Sequence, residues 1–253
     1  MKTVDSRCIW ALLICASLMI FLLFIFSGRD DGGASASVHP RECIILLHGL
    51  CRSARSMAGI AACLRRSGYA VVNLDYASTR KTIGALAEQD LAPVVARCRR
   101  RGYVRIHLVT HSMGGIIARV YLQRHTLPPG SRVVMLAPPN QGSELTDWAL
   151  AHMPRIYALA GPAARELGTG EDAGLEPGRP LAAQIGVIAG NSSWNPVFSA
   201  ILPGDDDGKV TVKRTRLAGM ADFLIVADTH MMIMYDRDVQ RRIIHFLKCG
   251  RFE

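Results

Sequence analysis

Six short apolar runs recur along this chain, and their spacing restricts the fold more than any other feature. They are Cys43–Gly49 ("CIILLHG"), Tyr69–Tyr76 ("YAVVNLDY"), Val104–Thr110 ("VRIHLVT"), Arg132–Pro139 ("RVVMLAPP"), Gln184–Gly190 ("QIGVIAG") and Asp222–Ala227 ("DFLIVA"). Runs apolar at consecutive positions, rather than at alternate ones, suit strands covered on both faces, as in a parallel sheet. Helical patterns lie between or after them, at Ser56–Gly68, Thr82–Gly102, Gly114–His125 and Asp236–Lys248. Pro93 is expected to interrupt the second of these, since proline has no amide hydrogen to donate. The expected fold class is therefore α/β, a mainly parallel central sheet with helices on both faces. With 49% apolar residues in a chain of 253, a sizeable core is within reach.

Residues 42–253 read as one such domain. Within it, residues 141–181 are less regular, rich in Ala, Gly and Pro, and carry Trp148 and Tyr157. This segment is either a lid or cap over a site, or a solvent loop with one helix.

The N-terminus has a different character. Cys8–Phe26 holds nineteen residues without a charge, preceded by Lys2 and Arg7. About twenty apolar residues at a 1.5 Å rise cross a bilayer core, whereas a cleaved export signal has a shorter apolar centre of roughly 7–15. Residues 1–27 are accordingly read as a membrane anchor or signal sequence, and the Gly/Ser-rich residues 28–41 as a linker. The basic flank puts the N-terminus on the cytoplasmic side. The expected location is the inner membrane, through a single-pass anchor, with the domain on the periplasmic side. Secretion after cleavage near Ala34-Ser35-Ala36 is the alternative. Beyond the anchor lie Cys43, Cys51, Cys63, Cys98 and Cys249, enough for one or two disulfides in an oxidising compartment. No cysteine or histidine spacing suggests a metal site.

Lys and Arg number 30 against 21 Asp and Glu. They are scattered, apart from the clusters Arg97–Arg101 and Arg241–Arg251, and no nucleic-acid-binding module accompanies them. A solvated basic surface, facing water or phospholipid, is the expected meaning, and a nucleic-acid partner is not.

The stretch "HLVTHSMGGIIARVYL" (His107–Leu122) sets Ser112 between an apolar run and a helical one. Serine and glycine are also ordinary turn residues. In a doubly wound sheet, however, function gathers at the carboxyl ends of strands, and Ser112 follows one directly. A serine hydroxyl is a weak nucleophile alone and needs a base oriented by an acid. Four histidines follow Ser112, and of His125, His152, His230 and His245 only His230 lies in a loop directly after a late strand. For the acid, Pro203–Val212 ("PGDDDGKVTV") offers Asp205, Asp206 and Asp207, with Asp228 a further choice. Asp207, before Gly208, is preferred. The developing oxyanion would be met by the backbone N–H groups of Leu50, in "LLHGL", and Met113. His48 is read as shaping that turn. Leu50, Trp148, Tyr157 and Trp194 are candidates to line an acyl pocket.

Taken together, "LLHGL", "THSMGG", "APPNQGSE" (Ala137–Glu144), "DDDGKVTV" and "DTH" give the chain its family likeness. Over nearly all of residues 42–252 it resembles the lipase and esterase branch of the α/β-hydrolases. Members place the catalytic aspartate in an Asp-Gly-x-Val turn, which here is Asp207–Val210, and the histidine a little over twenty residues later, which matches His230. The resemblance implies the α/β-hydrolase fold and hydrolysis of a small-molecule or lipid ester, without a cofactor, through an acyl-enzyme on Ser112. One departure stands out: the family's Gly-x-Ser-x-Gly elbow here begins with Thr110, which is tolerable if its side chain points away from the bend. An acyltransferase with the same triad remains an alternative, and a non-catalytic binding protein on this fold a more distant one.

Overall fold

The computed structural model describes residues 41–170 and 181–252. The expected anchor at residues 1–27 and the linker at 28–41 therefore lie outside the described residues, apart from Arg41. Among the described residues no helix is long and apolar enough to cross a membrane.

All six apolar runs are strands: β1 (Glu42–Leu47), β2 (Ala70–Leu74), β3 (Arg105–His111), β4 (Arg132–Leu136), β5 (Gln184–Gly190) and β6 (Asp222–Val226). They form one sheet in the order β2-β1-β3-β4-β5-β6, and every pairing is parallel. The chain moves outward from β1 to β2, then returns to the other side of β1 with β3. The crevice at this reversal lies beyond the carboxyl ends of β1 and β3, where Leu47 pairs with Thr110.

The principal helices are α1 (Ala58–Arg66), α2 (Ala92–Arg100), α3 (Met113–Arg124), α4 (Glu144–His152) and α5 (Arg237–Cys249). Because side chains alternate across a strand, β1 feeds two cores. Ile45 and Leu47 join Val94 and Val95 of α2 and Ile116 and Ile117 of α3 on one face. Ile44 and Leu46 join Ile60 and Leu64 of α1 and Ile243 and Phe246 of α5 on the other.

Pro93 does not break its helix. Helical backbone runs from Ile83 through Arg100, with a π-helical stretch at Leu86–Leu91 directly before α2. The Ala92 amide there donates to the Ala87 carbonyl, five residues back. Pro93 sits in the first turn of the segment that follows, where its missing N–H is least costly.

Residues 141–170 carry more than one helix. Besides α4 there are short helical turns at Pro154–Tyr157, Ala158–Ala160 and Pro162–Arg165. They rest on the body of the domain. The Glu166 carboxylate accepts from the Ile83 amide at 3.2 Å. A Cβ built on Gly161 would come 1.8 Å from the Thr79 carbonyl oxygen, so only glycine lets these backbones approach. The five domain cysteines are free thiols, and none forms the disulfides considered above. Cys43 and Cys98 come nearest, with Sγ atoms 3.5 Å apart.

His107, fully buried on β3, is held neutral by its surroundings. Its Nδ1 accepts from the Arg132 amide at 3.0 Å. Burial pushes its pKa down to about 4, against a partial upward pull from Glu42. Folding thus favours the neutral ring, so this contribution is intact above the unfolded value near 6.5 and is lost as pH falls from there toward 4. Denaturant midpoints should fall between pH 7 and pH 5, and a His107→Gln variant should show a shallower fall. The limiting slope for one such group is about 1.4 kcal/mol per pH unit.

Candidate active site

Ser112 stands between β3 and α3 with φ 53° and ψ −125°, a conformation that costs a non-glycine residue on the order of 1–3 kcal/mol. The fold fixes it from several sides. Its amide donates to the Leu136 carbonyl of β4 at 2.8 Å, and its own carbonyl accepts from Gly115 at 2.9 Å. Immediately beyond, Gly114 lies against β1: a Cβ there would be 2.6 Å from the Leu47 carbonyl oxygen and 2.8 Å from that of His48. Cys51 and Ala137 share positive φ with Ser112. Among the described residues, these three non-glycine positions with positive φ sit just past the carboxyl ends of β1, β3 and β4, where strain is commonly concentrated at functional sites.

Thr110 does not turn away from the bend. Its Oγ1 lies beneath α3, at 3.4 Å from where a Cβ on Gly115 would stand. The hydroxyl donates to the Val134 carbonyl of β4 at 3.4 Å, which holds the side chain within the sheet.

Three of the sequence-derived candidates come together in one row. The Ser112 hydroxyl donates to His230 Nε2 at 2.9 Å, and His230 Nδ1 donates to Asp207 Oδ2 at 2.7 Å. Asp207 is 2% exposed and His230 4%, while Ser112 is partly open to solvent. The other oxygen of Asp207 accepts from the Lys209 and Val210 amides at 3.0 and 2.8 Å. The turn that provides these amides passes through Gly208 at φ 90°. The His230 amide also donates to the Asp207 carbonyl at 2.8 Å, so the two residues are tied by backbone as well as side chain.

The other acids are employed differently. Asp206 accepts from the Gly208 amide and the Ser199 hydroxyl, which shapes the turn. Asp205 is exposed, and the Asp228 carbonyl accepts from the Ser192 amide. Of the other histidines, His125 contacts Glu88, His152 stacks on Trp148, and His245 bonds the Arg251 carbonyl.

Leu50 and Met113 flank the serine. A Cβ on Gly49 would lie 3.1 Å from Ser112 Cβ, which puts the Gly49 backbone close against the serine side chain. Met113 opens α3, whose first amides have no partner within the helix. Among the described residues neither the Leu50 nor the Met113 amide is hydrogen-bonded. His48 is buried, bonds the Gly49 carbonyl through Nδ1 at 2.9 Å and stacks on Tyr76. The Tyr76 hydroxyl donates to the His48 carbonyl, which braces the turn from below.

The aromatic candidates for an acyl pocket have different partners. Tyr157 bonds Thr146, Trp148 stacks on His152, and Trp194 is 78% exposed, so Trp194 is neither core nor an enclosed pocket wall. Leu50 packs against the core cluster beneath it.

Sequence reasoning overlooked His111. Buried on β3 beside the serine, it donates through Nε2 to the His230 carbonyl at 2.9 Å. Burial, His230 and the nearby Arg52 and Lys209 keep its pKa well below the ordinary histidine value, so the ring is neutral. The available signal was its place directly before Ser112 at the end of a buried strand.

A family model for the alpha/beta hydrolase family matches residues 44–247. The chain belongs to that family. Solved structures of similar fold include the mature lipase BlEst2 of Bacillus licheniformis, at 19% identity and a TM-score of 0.65, covering 87% of this chain and 96% of that one. A metagenomic carboxyl esterase, MGS0156, aligns at 20% identity and a TM-score of 0.59 over 81% of this chain and 68% of its own. The Pyrococcus furiosus esterase Pf2001 aligns at 17% identity and a TM-score of 0.57, over 82% and 83%. No curated protein matches this alpha/beta hydrolase.

The elbow makes a direct prediction. Gly114→Ala forces a methyl group into the carbonyls of Leu47 and His48, and overpacking of this kind costs about 1–3 kcal/mol. Thermal unfolding should show a lower midpoint for the variant, whereas Gly84→Ala, with open space at that position, should leave it nearly unchanged.

Proposed function

We propose that this protein is a serine hydrolase that cleaves carboxylic esters, of the lipase or esterase type, through an acyl-enzyme on Ser112. The observation that carries this reading is the unbroken hydrogen-bonded row from Asp207 through His230 to Ser112.

In this mechanism Ser112 Oγ attacks the ester carbonyl while its proton passes to His230 Nε2. Asp207 holds the Nδ1–H tautomer and stabilises the imidazolium that forms. The Leu50 and Met113 amides receive the oxyanion, and a well-placed donor of this type contributes roughly 3–4 kcal/mol to the barrier reduction. His230 returns the proton to the leaving alcohol as the carbonyl–alkoxide bond breaks. Water, deprotonated by His230, then attacks the acyl-serine and releases the acid with Ser112 restored. His111 holds the His230 backbone in place and is a positioning residue.

Steady-state hydrolysis of p-nitrophenyl esters from acetate to palmitate by the full-length chain tests this. Ser112→Ala should lose kcat by four or more orders of magnitude, and Asp207→Asn by roughly 10⁴-fold. Equal, undiminished activity in the folded Ser112→Ala variant refutes the assignment.

The apolar Cys8–Phe26 segment, with Lys2 and Arg7 before it, supports a single-pass anchor that leaves the catalytic domain on the periplasmic side of the inner membrane. The protein should then sediment with membranes, resist alkaline extraction and be digested by protease added outside spheroplasts. Recovery in the soluble secreted fraction would favour cleavage.

A further inference from the structure

The loop after β4 carries the stretch "APPNQGSE" (Ala137–Glu144) into α4, and the mechanism above uses none of its side chains. Near its end stands Ser143, only 5% exposed. A buried hydroxyl is costly unless it is hydrogen-bonded. This one donates to the Lys209 carbonyl at 2.8 Å.

That carbonyl belongs to the Lys209–Val210 peptide, whose other polar group is the Val210 N–H. The Val210 N–H donates to Asp207 Oδ1 at 2.8 Å, and Asp207 Oδ2 accepts from His230 Nδ1 at 2.7 Å. One planar peptide is thus held between the Ser143 hydroxyl and the carboxylate that faces His230. We propose that Ser143 is a positioning residue, which extends the row Ser112–His230–Asp207 by a fourth side chain through the Lys209–Val210 peptide. The inference rests on the serine-hydrolase reading above.

Planarity makes the tie effective. The C=O and N–H of a trans peptide turn together, so a rotation that slackens the Val210 bond to Asp207 also breaks the Ser143 bond. Gly208, at φ 90°, lets the acidic turn form but adds no stiffness of its own. Hydrogen bonds in series also polarise one another, so a donor at the Lys209 carbonyl strengthens Val210 as a donor to Asp207.

The Ser143 donor is itself held in place. Its amide donates to the Leu167 carbonyl at 2.9 Å. A Cβ on Gly142 would come 2.1 Å from the Gly168 carbonyl oxygen, so the loop lies hard against that backbone. Asn140 Nδ2 donates to the Thr215 carbonyl at 2.8 Å, and the Arg119 guanidinium of α3 donates to the Asn140 carbonyl. The same loop begins at Leu136, whose carbonyl accepts from the Ser112 amide. It therefore joins the serine end of the row to the aspartate end by a route separate from His230.

The test reads the full-length chain in neutral detergent, labelled with ¹⁵N-histidine. The His230 Nδ1 proton, identified by its loss in His230→Gln, is followed by low-field NMR without substrate, beside steady-state hydrolysis of p-nitrophenyl butyrate. Ser143→Ala should displace or broaden this resonance and lower kcat by about 10–100-fold, with KM little changed. Ser143→Thr keeps the hydroxyl and should restore both. Gln141→Ala removes only a bond to the Arg216 carbonyl, and should keep the resonance and hold kcat within about twofold. Should Ser143→Ala not fold, Ser143→Cys, of similar size and a weaker donor, is read in the same way. A wild-type resonance and kcat in the Ala variant overturn the proposal, as does a Thr variant equally impaired or an equal loss in Gln141→Ala. If the wild-type chain cleaves no ester, the hydrolase reading fails separately and the resonance decides. Displacement by Ser143→Ala then supports the link from Ser143 to Asp207, and an unmoved resonance refutes it.

Discussion

The close approach of α3 to β1 governs this molecule's chemistry. Gly114 lets the first turn of α3 rest on the carbonyls of Leu47 and His48, and the serine between strand and helix is driven to positive φ as a result. The same contact points the hydroxyl out of the sheet and lays the amide of Met113 beside it. Strain is tolerated because it is held by a backbone bond to β4 and by a fully packed sheet on both sides. The local geometry at Ser112 is therefore a property of the whole domain rather than of a five-residue motif.

Around that bend the structure keeps its histidines in different states of use. His48 and His111 are enclosed, and burial lowers the pKa of each. One shapes the turn that carries Leu50, and the other supports the loop that carries His230. His230 alone meets both a carboxylate and the serine. The division follows from partners: His48, with Asp75 3.6 Å from its Nε2, and His111 each spend a ring hydrogen bond on a backbone carbonyl, whereas His230 lies between Asp207 and Ser112.

Much of this was legible in the chain. The inner strands β1, β3, β4 and β5 were readable because strands buried on both faces are apolar at most positions, and the edge strands β2 and β6 because they keep short apolar runs although half-buried. Ser112, His230 and Asp207 were readable from their order and from their places after strands. Three things were not. The continuity of the helix through Pro93 depends on a π-helical stretch just before it, which no periodicity announces. The fit of Thr110 depends on β4, because its hydroxyl meets the Val134 carbonyl only once β3 and β4 have paired. His111 looked like one more buried strand residue, and its bond to the His230 carbonyl spans 119 positions.

That long span also bears on how the site comes into being. Asp207 and His230 are 23 residues apart and are joined through one short helical turn, one strand and their loops, so they can find each other early. Ser112 is 118 residues from His230. Joining it requires β3, β4, β5 and β6 to register in turn, and contacts of such separation close late because loop-closure entropy must be overcome first. In a refolding chain, the joining of Ser112 to His230 would therefore time the last long-range closure of the sheet, and secondary structure would reappear ahead of it.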